Sequence, residues 1–149
     1  MMRLGMLDKN LAETMKVVSE EKRRSAARVA SELVFQICPV DRPVVHESLK
    51  QLLSGYKLSI EQVSELEGLA GELDEEYFNL HDSQPEEIEL NPQALHFFSQ
   101  ARAVSTLAFA GKDDSIESTA EAIYEAASAI DDGLVLNAVF SVLSEKQPD

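Results

Sequence analysis

Apolar residues recur along this chain in steps of three and four, and no window alternates with period two over a β-branched run, so the pattern predicts helices and no strand. Asp8 is placed to cap a first helix with Leu11, Met15 and Val18 on one face. Ala26, Val29, Ala30, Leu33 and Ile37 mark a second, which Pro39 ends by pushing Cys38 out of the helical region. Asp41 opens a third, with Pro43 in its first turn and Val45, Leu49, Leu52 and Leu53 facing inward. Gly55 then stands where a left-handed C-terminal cap belongs.

The next start is written most fully. Ser59 and Gln62 have the spacing of a capping box, and Leu58 can pack on Val63 as a staple. Val63, Leu66, Ala70, Leu73, Tyr77 and Leu80 form a narrow seam that predicts a helix to about Leu80. Gly68 and Gly71 interrupt it at about 1 kcal/mol each relative to Ala, a cost best tolerated where another helix approaches closely. Residues 81–91 read as a loop. Asn91–Pro92 restarts a helix carrying Leu95, Phe98, Ala101, Val104, Ala108 and Phe109, closed by Gly111. Asp114 or Ser115 opens another, with Ile116, Ala120, Ile123, Ala127 and Ile130 as its buried stripe. Asp131, Asp132 and Gly133 break the chain before a last segment built on Val135, Val139, Val142 and Leu143. The expected fold is all-α: six to seven helices packed as antiparallel αα-hairpins in one bundle over residues 1–149. Gly55-x-x-x-Ser59-Ile60-Glu61 recurs as Gly111-x-x-x-Ser115-Ile116-Glu117. That echo is either a duplicated hairpin or the common grammar of a glycine end and a serine start, and the grammar reading is favoured.

Charge changes the picture more than composition does. The 149 residues carry 13 basic and 27 acidic side chains, a net charge of −14. Residues 1–57 hold ten Lys/Arg against seven Asp/Glu, whereas residues 58–149 hold three against twenty. The helices thus divide into a basic-leaning set over 8–57 and an acidic set over 58–149. Such a balance argues against direct binding to nucleic acid or to an anionic membrane surface, and points to a basic protein partner. The only basic cluster is Lys22, Arg23, Arg24 and Arg28, read as a solvated face or an intramolecular partner for the acidic half. A lone cysteine, Cys38, and the absence of an apolar run of spanning length fit a cytoplasmic protein.

The acidic charge concentrates between Leu58 and Asn91, a stretch of eleven carboxylates without one Lys or Arg. At 100° per residue, Glu61, Glu65, Glu72 and Glu76 form a stripe opposite the apolar seam, and Glu67, Asp74 and Phe78 share one flank. Glu117, Glu121 and Glu125 repeat the arrangement opposite the stripe of their own helix. An aromatic among carboxylates suits a hot spot ringed by charge. The expected contact set is Glu61, Glu65, Glu72, Asp74, Glu75, Glu76 and Phe78, with Asp82, Glu86, Glu87 and Glu89 on the adjoining loop. A solvated acidic face is the plain alternative.

Catalytic signatures are missing, and neither a cofactor nor a metal is expected. None of His46, His81 and His96 follows a Glu at three residues, as the di-iron Glu-x-x-His pattern requires. Glu72-x-x-Glu75 and Glu86-x-x-Glu89 match half of the Mg²⁺ motif of all-α nucleotide pyrophosphatases, but no Asp follows a Glu at three residues to supply the other half. Cys38 reads as a small core residue rather than a nucleophile. No phosphate loop or nucleophile elbow occurs. A carboxylate-rich metal-dependent enzyme therefore ranks behind a non-enzymatic binding role. A scaffold or homodimer built on the alanine-rich helices is a third reading.

In format, over most of its length, this small acidic all-helical chain resembles the immunity proteins of bacterial toxin systems. The segments ARAVSTLAFAG and ESTAEAIYEAASAIDD are similar to helical hairpins in bacterial families without known activity. The resemblance implies an inhibitor that neutralises a basic cognate toxin, such as a nuclease, by docking an acidic helix and loop.

Overall fold

The computed structural model describes residues 3–82, 92–113 and 115–145. The chain is all-helical, 85% helix, and contains eight helices and no strand among the described residues. They are α1 (Leu4–Leu7), α2 (Lys9–Val17), α3 (Glu20–Ile37), α4 (Pro43–Leu53), α5 (Ile60–Asp82), α6 (Pro92–Lys112), α7 (Ile116–Ala129) and α8 (Asp132–Ser144). The count exceeds the expected six to seven because the single turn α1, too short to carry a periodicity, precedes the Asp8 cap. No helix among the described residues is long and apolar enough to cross a membrane.

The caps explain most boundaries. Asp8 accepts from the Leu11 N–H, Ser19 from Lys22, Ser115 from Ser118, and Asp131 from Gly133 and Leu134. Each satisfies a donor that the first helical turn leaves without an intrahelical partner. Ser59 and Gln62 form the full reciprocal box at 3.1 and 2.9 Å. Asp41 does not cap α4. Arg42 occupies that position without a side-chain cap, Pro43 fills the first helical site, and Asp41 instead meets His46 Nε2 at 3.0 Å. Among the described residues Gly55 alone has a positive φ, 94°, and turns the chain after α4.

The long helices α5, α6, α7 and α3 enclose the core. α6 packs along both α5 and α7, and α7 also meets α3, α8, α1 and α2. α6 and α7 are therefore buried over most of their circumference, which their alanines permit: Ala101, Ala103, Ala108, Ala120, Ala122 and Ala126 all lie inside. The phase of α3 differs from the expected one. Val34 and Phe35 are buried, Leu33 is half-buried and Ile37 faces water. In α4 the buried set is Val45, Ser48 and Leu52, while Leu53 is exposed.

The glycines divide by purpose. Gly68 and Gly71 have nothing within 4 Å of an added Cβ among the described residues, so no described helix approaches them. The close approach is at Gly111, inside the last turn of α6, where an added Cβ would fall within the Leu58 side chain. The Leu58 N–H donates to the Gly111 carbonyl at 3.1 Å, fixing the α4–α5 connection across the end of α6. The sequence echo between Gly55 and Gly111 is thus grammar in its serines, both true caps, and coincidence in its glycines.

Candidate functional site

The capping box at Ser59 starts α5, and burial of Val63, Leu66, Leu69, Ala70 and Leu73 against the core fixes its rotation. Glu61, Glu65, Glu72, Glu75 and Glu76 are consequently all exposed on the outer face. The helix is 23 residues long, roughly 34 Å at 1.5 Å per residue. Like charges at Glu61/Glu65 and Glu72/Glu76 each weaken it by a few tenths of a kcal/mol. Phe78 is 54% exposed and touches Tyr77, their ring centroids 5.2 Å apart. Tyr77 in turn meets Phe98 of α6 at 5.4 Å, so the aromatic patch is anchored from beneath.

One exposed apolar residue beside these carboxylates is missing from the sequence reading. Ile60, in the first turn of α5, is 86% exposed. Eighteen residues separate it from Phe78, an integral number of helical turns, so the two point the same way roughly 27 Å apart. The signal was present: a large apolar residue off the seam, directly after the cap. Beside it Leu58, Ile60, Val63, Ser64, Glu67 and Lys112 line an open cleft of about 230 Å³.

Asp74 has a different role. Its carboxylate accepts from Arg102 Nη2 at 2.6 Å. Arg102 Nη1 also donates to Glu125 at 3.0 Å, and Glu125 receives Arg3 Nη2 at 2.9 Å. Arg3 further pairs with Glu121, and its guanidinium stands 4.4 Å above the Tyr124 ring. The hydrogen bond to Glu121 is the largest cause raising the Arg3 pKa above its ordinary value, with burial opposing and Glu125 adding to it. This chain of charges links α5, α6 and α7 to the residue ahead of α1. Glu125, its side chain 4% exposed, is held at the centre by two guanidinium groups. Arg102 Nε is buried without a hydrogen-bond partner among the described residues.

The expected outward stripe on α7 is therefore corrected. Glu117 is exposed, Glu121 is half-buried in an ion pair, and Glu125 is interior. Of the expected contact set, five glutamates and Phe78 share the open side of α5, and Asp74 is engaged inward. Asp82 ends α5; its side chain, with Glu86, Glu87 and Glu89, lies outside the described residues.

No group of three or more His, Cys, Asp or Glu among the described residues could hold a metal ion. Cys38 is buried, and desolvation pushes its thiol pKa up, which keeps it protonated. Comparison with protein-family models, curated proteins and solved structures finds no match to the chain.

Proposed function

We propose that the chain is an acidic inhibitor of the immunity-protein type, which neutralises a basic cognate toxin, such as a nuclease, by laying α5 over it. The observation that supports this most is the outer face of α5. Six exposed glutamates, Glu67 among them, run between two exposed apolar anchors, Ile60 and Phe78, with no cation of the helix itself among them. Charge on this face would set the on-rate and the choice of partner, and the anchors would slow dissociation.

The two glycines strengthen the reading. A solvent-facing helix gains nothing from Gly68 and Gly71, which cost it about 1 kcal/mol each relative to Ala. Their lack of side chains would let a partner backbone approach the helix closely. Gly68→Ala and Gly71→Ala are each expected to stabilise the free protein by somewhat under 1 kcal/mol in urea unfolding. Destabilisation by either would mean that the position has a packing role in the chain itself.

The docking surface is tested by reversing Glu72, Glu75 and Glu76 to Lys. Using the protein captured at low salt as analyte, association is expected to slow by about tenfold or more and to lose most of its salt dependence. An unchanged rate and salt slope would remove α5 as the interface. The alanines of α6 and α7 that a scaffold reading would use lie inside the chain, which supports the docking reading over it.

A further inference from the structure

The basic cluster on α3 divides into two pairs. Lys22 Nζ donates to the Leu143 and Glu145 carbonyls at the end of α8, and Arg23 Nη1 donates to the Val18 carbonyl at 3.0 Å. These two cap backbone oxygens. Arg24 and Arg28, one turn apart, instead line a small cavity with Lys57 and Tyr56, over a floor of Leu52 and Ala110. No carboxylate lines it among the described residues, in a chain with 27 of them.

We infer that this cavity is a binding site for a tetrahedral oxyanion, the phosphate of a small phosphomonoester or inorganic phosphate itself. Two guanidinium groups at i, i+4 repel one another, and an anion between them removes that cost. Arg28 is half-buried and held in place: its Nη2 donates to Ser25 Oγ at 3.2 Å. Its Nη1 lies 3.8 Å from where a Cβ of Gly55 would stand, so the left-handed turn of Gly55 keeps the wall beside the guanidinium low. Arg24 is exposed and makes no hydrogen bond or ion pair among the described residues, leaving its donors available for bidentate contact. The apolar floor of Leu52 and Ala110 lowers the local dielectric and strengthens attraction to a bound charge. The cavity measures about 30 Å³, room for roughly two water-sized groups on the scale where one needs about 10–15 Å³. It can seat phosphate oxygens but no base or sugar, so the remainder of an ester would project past Tyr56, which is 68% exposed at the rim.

The test is a titration of isotope-labelled protein at constant ionic strength with inorganic phosphate, phenyl phosphate and chloride, following the amide resonances of Gly55 and Tyr56. Both phosphates are expected to give saturable shifts, with chloride giving none. Tighter binding of phenyl phosphate would identify an ester as the preferred source, and equal or weaker binding would identify the free ion. Arg24→Gln, at an exposed position, is expected to weaken the affinity about tenfold without changing the melting temperature. Arg28→Gln should abolish saturation. Linear shifts, equal shifts with chloride, or full affinity in Arg24→Gln would overturn the assignment.

Discussion

Arg102→Met is expected to destabilise the fold by about 3–5 kcal/mol, the usual range for removing one partner of a buried ion pair. Two acids lose a guanidinium at once. Asp74, 29% exposed, can recover water, but Glu125 at 4% cannot and is left with Arg3 alone. The double variant Arg102→Met with Glu125→Met should recover more than half of the loss, because it removes the stranded charge together with its partner. Asp74→Asn should cost much less than either single change at the centre. Urea unfolding of the four proteins measures this. An Arg102→Met protein within 1 kcal/mol of the parent would mean that the network is a bystander of packing.

Gly111→Ala is expected to cost about 1–3 kcal/mol, although Ala is the better helix former by about 1 kcal/mol. The new Cβ would overlap Leu58, which is buried, and whose own Cβ cannot withdraw without breaking the backbone bond to the Gly111 carbonyl. Leu58→Ala in the same background should relieve the overlap, so that the double variant loses less than the sum of the two single ones. Strict additivity in denaturant unfolding would contradict this contact. The same substitution at Gly68 or Gly71 has the opposite sign, which separates a glycine needed for room from one that the fold merely tolerates.

The elements themselves were legible because their signals are local. The capping box at Ser59 and Gln62, the cap at Asp8, the turn at Gly55 and the seam of α5 each depend on residues a few positions apart. The outer glutamates of α5 followed directly from that seam. What stayed hidden depends on distant neighbours. The wheel placed Glu125 opposite Ile123 and Ala127 and so assigned it to water, which presumes that a helix has one dry face. α7 is packed by five other helices, and its second face is closed by Arg3 and Arg102, which lie 122 and 23 residues away. The inward ion pair of Asp74 is hidden from the sequence for the same reason: only the path of α6 brings Arg102 beneath it. The phase of α3 slipped because Val29, Leu33 and Ile37 offer as good an apolar row as Ala30, Val34 and Phe35. Only the neighbours of α3, namely α4, α6, α7 and α8, decide between them.

The bridge from Arg3 to Glu121 and Glu125 also sets an order of assembly. During synthesis Arg3, Leu4, Leu11 and Met15 emerge long before the acids that hold them, with 118 residues between Arg3 and Glu121. At about 5–20 residues per second that interval is roughly 6–24 s. Throughout it the three apolar side chains, all fully buried in the finished fold, have no core to enter. The helices α1 and α2 are therefore late-docking pieces.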